Sequence, residues 1–262
     1  MEETKDRRES LGIFWDSSKI FRPEDLRAQD VRVVLFRLKK ALPDFVFRDG
    51  YLEGNPLSWP EVKTLMDGVS VGGHKISDVE QILNLERAWG TLAVLLQGNE
   101  FALTKDTFLK INACVALNES LEWGVFRTGP VGIAGTEYKP PASTKLPEIF
   151  ERGLSFLASI GNPIERALAF SLWTAREQFF WDGNKRTGRI MMSGELLKHG
   201  YDALSIPNDR REEYNRKMIG FYNSADATEM MVFYQSLFPR EARMGPDDGD
   251  EDEAASGMTC GK

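Results

Sequence analysis

Apolar residues recur along most of this chain at helical spacing. Ile82, Leu85, Trp89, Leu92 and Leu96 follow one another at intervals of 3, 4, 3 and 4, which lays a continuous stripe along one helix face. Phe108, Ile111 and Val115 keep the same period, as do Ile164, Leu168, Leu172, Ala175 and Phe179. Ser58-x-x-Glu61 and Ser77-x-x-Glu80 read as capping boxes, in which a hydroxyl and a carboxylate satisfy the free N–H groups of a helix start. Asn208-Asp209 and Asp226 stand as N-caps before two final helices carrying Met218, Phe221 and Tyr222, then Met230, Met231, Phe233 and Tyr234. Only 125–138, broken by Thr128-Gly129-Pro130 and Ala134-Gly135, has the punctuation of a β-hairpin. The expected fold is all-α with one hairpin.

Length and composition narrow this picture. A chain of 262 residues suits one large domain with an N-terminal extension, or two small ones. The expected layout is a flexible N-terminus over 1–20, a helical region over 21–100, a core over 101–239 and a disordered acidic tail over 240–262. A hydrophobic share of 42% is that of an ordinary globular protein. No run approaches the roughly 20 apolar residues that span a bilayer. The start MEETKDRRES is too charged for a signal peptide, so a cytoplasmic protein without a membrane partner is expected. A net charge of -7 argues against broad nucleic-acid binding, which needs a basic footprint. Cys114 and Cys260 lack the spacing of a zinc site and read as free thiols. The run 245–253 carries too little apolar surface to fold and reads as solvated, with an interaction role left open.

The candidate chemistry lies in 178–189, Gln-Phe-Phe-Trp-Asp-Gly-Asn-Lys-Arg-Thr-Gly-Arg. Gly183 permits a turn, and the residues from Asn184 onward read as the first turn of a helix whose free N–H groups point at an anion. Lys185, Arg186 and Arg189 oppose the positive end of the helix dipole, so their presence there calls for an anion. Asp182 at the edge of the turn suits a hard divalent cation bridging phosphates, or a simple N-cap. The arrangement fits a nucleoside triphosphate with its metal ion. A Walker-type loop is excluded, because no Gly-x-x-x-x-Gly-Lys-Ser/Thr string occurs.

These residues carry a resemblance to the Fic (Fido) family, whose signature is His-Pro-Phe-x-Asp/Glu-Gly-Asn-Gly/Lys-Arg-x-x-Arg. Phe180, Asp182, Gly183, Asn184, Lys185, Arg186 and Arg189 match it, while Gln178 stands for the His and Phe179 for the Pro. The resemblance implies ATP and Mg2+ as ligands and transfer of AMP to a Ser, Thr or Tyr hydroxyl of a protein. It also implies that Asp182 holds the metal, that Gly183, Asn184, Lys185 and Arg186 cradle phosphates, and that Arg189 meets the γ-phosphate. The family's His is the general base, and a Gln amide has no basic form near neutral pH. Weak transfer and none at all stay open, as does a pseudoenzyme that binds nucleotide or a protein partner. Lys185 is also shared with the related Doc toxin, a kinase, although Gly183 and Arg189 depart from the Doc pattern.

Two further segments extend the likeness over roughly 45–238. Arg127, Thr128, Gly129, Pro130 and Val131 resemble the family's hairpin flap, which implies a docking place for an extended protein target. Asp49-x-x-x-Glu53-Gly54 resembles its inhibitory motif, with Asp49 at the Ser/Thr place. That implies a carboxylate, Glu53, pairing with Arg189 and obstructing the γ-phosphate. Oligomeric state is not legible.

Overall fold

The computed structural model describes residues 2–244, and ten α-helices occur among them. They are α1 (Glu2–Leu11), α2 (Val31–Leu52), α3 (Trp59–Met66), α4 (Ile76–Gln97) and α5 (Lys105–Val115), followed by α6 (Leu146–Ser159), α7 (Pro163–Glu177), α8 (Asn184–Lys198), α9 (Arg211–Ser224) and α10 (Thr228–Gln235). No helix among the described residues is long and apolar enough to cross a membrane.

The helical stripes are buried as their period requires. Ile82, Leu85, Trp89, Leu92 and Leu96 of α4 are all in the core, where the helix packs on α2, α5 and α8. Helix α7 is buried nearly all round, between α6, α8 and α10. It pairs most intimately with α8. At Gly188 a Cβ would lie 2.9 Å from Thr174 Oγ1 and 3.1 Å from the Ser171 carbonyl, so the backbones of α7 and α8 approach closely only because no side chain intervenes. Under the connection from α7 to α8 lies an aromatic cluster. Phe180 lies 4.6 Å from Phe108, and Phe179 lies 5.1 Å from Phe126 and 5.0 Å from Phe150, centroid to centroid.

Three expectations differ from the structure. The hairpin over 125–138 does not form: the described residues contain no strand ladder, only isolated bridges at Phe14–Asp226 and Leu26–Arg243. The segment is instead an extended loop tied by Arg127, because its Gly and Pro residues break pairing without leaving two alternating runs to pair. Part of the segment 1–20, expected to be flexible throughout, is packed from Leu11 onward. Leu11, Ile13, Trp15 and Ile20 are buried, Trp15 Nε1 donates to Glu165 Oε1 at 2.6 Å, and Phe14 N donates to the Ala225 carbonyl at 3.0 Å. The charges of the first ten residues mask the alternating apolar set Leu11, Ile13, Trp15, which needs α6, α7 and α10 as partners. Finally, α4 starts two residues earlier than Ser77 suggests, with Lys75 at the N-cap, whereas the Ser58–Glu61 capping box forms, Ser58 N donating to Glu61 Oε2 at 2.8 Å. The acidic tail and Cys260 lie outside the described residues, apart from the short turn Arg240–Ala242 and the residues up to 244.

Candidate functional site

The turn between α7 and α8 is built by its own side chains. Helix α7 ends at Gln178, which adopts the left-handed conformation (φ 52°, ψ 65°) while its N–H closes the last helical bond to the Thr174 carbonyl at 3.2 Å. Asn184 then spans the loop: its Oδ1 accepts from Phe180 N at 2.9 Å, and its Nδ2 donates to the Phe180 carbonyl at 2.9 Å and to Gln178 Oε1 at 3.1 Å. Gly183 caps α8 with φ 75°, and a Cβ there would meet Val115 Cγ1 at 2.9 Å. Asn112 of α5 supports the turn from below, donating to the Asp182 carbonyl at 3.1 Å and accepting from Gly124 N at 2.9 Å. Both polar atoms of the Gln178 side chain are thus engaged, since its Nε2 also donates to the Ala175 carbonyl at 2.6 Å.

No side chain caps the N-terminus of α8, so its first N–H groups and the positive end of its dipole face the pocket. The pocket is lined by Glu53, Gln178, Asp182, Gly183, Asn184, Lys185 and Arg186, with a volume of about 50 Å³. One or two water molecules fill such a space. The anion that the basic first turn calls for is supplied by the chain itself. Helix α2 ends with Glu53 as its C-cap, which brings Glu53 Oε2 to 3.1 Å from Lys185 Nζ and Oε1 to 3.4 Å from Arg189 Nη2. Burial would raise the carboxyl of Glu53, but Lys185, Arg189 and Arg186 outweigh it and hold the group at about 2.

The three cations differ in what holds them. Lys185 is partly exposed and faces Glu53. Arg186 is buried; its Nη1 donates to Glu119 Oε2 at 2.7 Å and its Nη2 to Asp182 Oδ1 at 3.4 Å. Glu119 in turn accepts from Asn84 Nδ2 at 3.1 Å and Gln81 Nε2 at 3.2 Å. Arg189 lies deeper, outside the pocket lining. Its Nε and Nη2 both reach Asp49 Oδ1 at 2.9 Å, its Nη1 donates to Tyr214 Oη at 3.3 Å, and Trp89 Nε1 donates to the other Asp49 oxygen at 3.1 Å. Burial works against the charge of Arg189, yet Asp49, Tyr214 and Glu53 raise its pKa well above the ordinary value. Arg186 is shifted upward by the same balance, with Glu53, Glu119 and Asp182 as the anions.

Asp182 is exposed, and its Oδ1 accepts from Gly183 N at 2.5 Å. No group of three or more His, Cys, Asp or Glu that could hold a metal occurs among the described residues. A lone carboxylate fits Mg2+ only where phosphate oxygens and water complete its octahedron. The histidines are engaged away from the pocket: His74 Nε2 lies 2.9 Å from Glu61 Oε1 and His199 Nε2 lies 3.3 Å from Glu195 Oε1. Behind the turn, Arg127 donates from Nε, Nη1 and Nη2 to the carbonyls of Gln178, Gly129 and Pro141, each at 2.6 Å. Thr128 and Pro130 are exposed beside it.

The structure thus gathers Glu53, Gln178 and residues 182–186 in one pocket and sets Arg189 beneath it. Sequence reading missed Glu119, Asn112 and Tyr214, which come from other elements and carry no local signal. Asp49 was noted only as the occupant of a Ser/Thr place.

Residues 102–196 match the model of the Fic/DOC family. A protein named Protein adenylyltransferase Fic from Aedes aegypti is 26% identical over 192 residues, covering 71% of this chain and 38% of that protein. One of the same name from Drosophila ananassae is 24% identical over 220 residues, covering 82% and 41%. The chain thus spans about two fifths of the length of these curated relatives. Among solved structures, a Fic family protein from Desulfovibrio desulfuricans superposes with a TM-score of 0.64 at 21% identity, over 81% of this chain and 70% of that one. A Fic-domain signaling protein from Bacteroides thetaiotaomicron gives 0.61 at 21% identity, over 79% and 83%. These structures share the fold.

Proposed function

We propose that this Fic-family protein binds a nucleoside triphosphate of the ATP type, that Glu53 shuts the phosphate side of its site, and that efficient transfer of AMP fails for want of a base at Gln178. The observation that carries the reading is the position of Glu53. Its carboxylate bridges Lys185 and Arg189 at the uncapped start of α8, where a phosphate would bind. In the open site the Gly183–Asn184 turn, Lys185 and Arg186 would hold the α- and β-phosphates, and the γ-phosphate would lie on the side of Arg189. Asp182 would hold a divalent cation, which would neutralise charge on the phosphates.

Transfer requires a target hydroxyl oxygen to form a bond to the α-phosphorus, pyrophosphate to leave and the hydroxyl proton to pass to a base. At Gln178 the side-chain nitrogen is an amide donor already bonded to the Ala175 carbonyl, and the oxygen accepts from Asn184. Neither takes a proton near neutral pH. Loss of a positioned base slows transfer by about 10²–10⁴-fold. The exposed loop at Thr128–Val131, anchored by Arg127 beside the turn, is the place where an extended target segment would lie.

The test incubates the Glu53→Gly protein, with and without Gln178→His, with ATP labelled on the α-phosphate and cell lysate. Label on protein with both changes, and little without the His, is the expected outcome. Equal label in both proteins would show that Gln178 is not limiting. Label reaching protein only when the ATP is labelled on the γ-phosphate would indicate kinase-type transfer. Absence of nucleotide binding by either protein would overturn the reading.

A further inference from the structure

Glu53 is the weaker of the two carboxylates on Arg189. Asp49 Oδ1 takes both Nε and Nη2 of the guanidinium at 2.9 Å, whereas Glu53 reaches Nη2 at 3.4 Å and lies nearer Lys185. The Asp49 side chain is 8% exposed and that of Arg189 3%, so their attraction is little screened by water. Both Asp49 oxygens are occupied, Oδ2 by the Trp89 indole, which fixes the carboxylate in place on α2. When Glu53 swings away, Arg189 therefore stays paired. Swinging Glu53 out frees a single Nη2 hydrogen, on a guanidinium whose charge is already balanced.

The charges around the site lead the same way. Lys185, Arg186 and Arg189 stand against Asp49, Glu53, Glu119 and Asp182, three cations against four carboxylates. Without Glu53 the balance is even, and the loss of Asp49 as well leaves a net positive charge beside Arg189. The related motif places a Ser or Thr where this chain has Asp49, so the extra carboxylate belongs to this sequence. Lys185 and Arg186, which serve the inner phosphates, lie at the pocket and are not in contact with Asp49.

We propose that Asp49 is a specificity-determining residue: by neutralising Arg189 it removes the site's preference for a third phosphate, so that the opened site takes a nucleoside diphosphate about as well as a triphosphate. This rests on the nucleotide-binding reading of the same pocket. A charge-assisted Arg–phosphate contact that Asp49 did not pre-empt would favour the triphosphate by roughly tenfold or more.

The experiment is calorimetric titration of MgADP and MgATP into the full chain carrying Glu53→Gly, Glu53→Gly with Asp49→Asn, and Glu53→Gly with Asp49→Ser. Asp49→Asn keeps the volume and an acceptor for Trp89, so it decides the matter if the Ser variant does not fold. Expected are dissociation constants for the two nucleotides within about threefold in Glu53→Gly, and a preference for MgATP of roughly tenfold or more in the Asp49 variants. A tenfold preference for MgATP already in Glu53→Gly, or an unchanged ratio once Asp49 is replaced, would overturn the role of Asp49 while leaving nucleotide binding intact. No binding of either nucleotide to any variant would overturn both.

Discussion

Arg127 donates through Nε to the carbonyl of Gln178 at 2.6 Å, and its own N–H bonds the Phe179 carbonyl at 2.9 Å. The loop before α6 and the turn that carries the site are thereby one unit. Arg127 is buried without a carboxylate in hydrogen-bond contact, and burial lowers its pKa. Its charge is stabilised by three backbone carbonyls, an arrangement that only the fork of a guanidinium can serve at once.

Arg127→Met is expected to destabilise the fold by roughly 2–3 kcal/mol, because three partly buried carbonyls lose their donor. Urea unfolding measures the loss, and amide exchange should quicken first within 125–141. Arg127→Lys, which can serve one carbonyl but not all three, should recover only part of the stability; full recovery would show that the fork geometry is irrelevant.

Glu177, next to Gln178, is pushed up to about 7 by burial, partly offset by Arg176, Arg152 and Arg127. Its folded value lies above the ordinary 4.5, so the folded chain holds more protons in that interval and stability falls as pH rises from about 4.5 through about 7. Glu177→Gln is expected to remove that fall. Relative to wild type it should gain up to roughly 3 kcal/mol between pH 5 and pH 8, read from denaturant midpoints at the two values. Parallel pH profiles would contradict it.

Glu53 has the opposite sign. Held at about 2 against an ordinary 4.5, it contributes stability that is complete above 4.5 and disappears as pH falls through about 2. Glu53→Gly should therefore cost roughly 1–3 kcal/mol at pH 7, about half of that at pH 3 and little at pH 2. The same variant should gain more in melting temperature from added MgATP than wild type does, since the pocket no longer holds its own carboxylate. A larger gain for wild type would count against a blocking role.

Gly183→Ala places a side chain at φ 75° and 2.9 Å from Val115 Cγ1. Left-handed strain and overpacking together should cost about 2–4 kcal/mol in urea unfolding. Val115→Ala in the same chain should return the overpacking share and leave the strain.

The buried stripes of α4, α5 and α7 were legible because helical period is a local property, and each stripe residue named from the sequence lies in the core. The N-terminal arm was not. Ten charged or polar-rich residues suggested a solvated end, yet Leu11, Ile13 and Trp15 sit against helices more than a hundred residues later in the chain. The hairpin expected at 125–138 shows the converse error: turn residues mark where a chain bends, and pairing needs partners that this loop finds in Arg127 instead.

The sequence by itself determined the helix periods, the Asp182–Gly183–Asn184 turn and the basic start of α8, because each depends on neighbours within a few residues. The tertiary structure alone decided which anions meet those cations. Asp49 and Glu53 lie at the end of α2, Glu119 after α5 and Tyr214 on α9, and their distances to Arg186 and Arg189 follow from helix packing that no local pattern encodes. A buried guanidinium must find its acceptors, the carboxylates around Arg186 and Arg189 or the carbonyls around Arg127, wherever the fold brings them, since leaving it unpaired in a low-dielectric interior costs more than any local preference can offset.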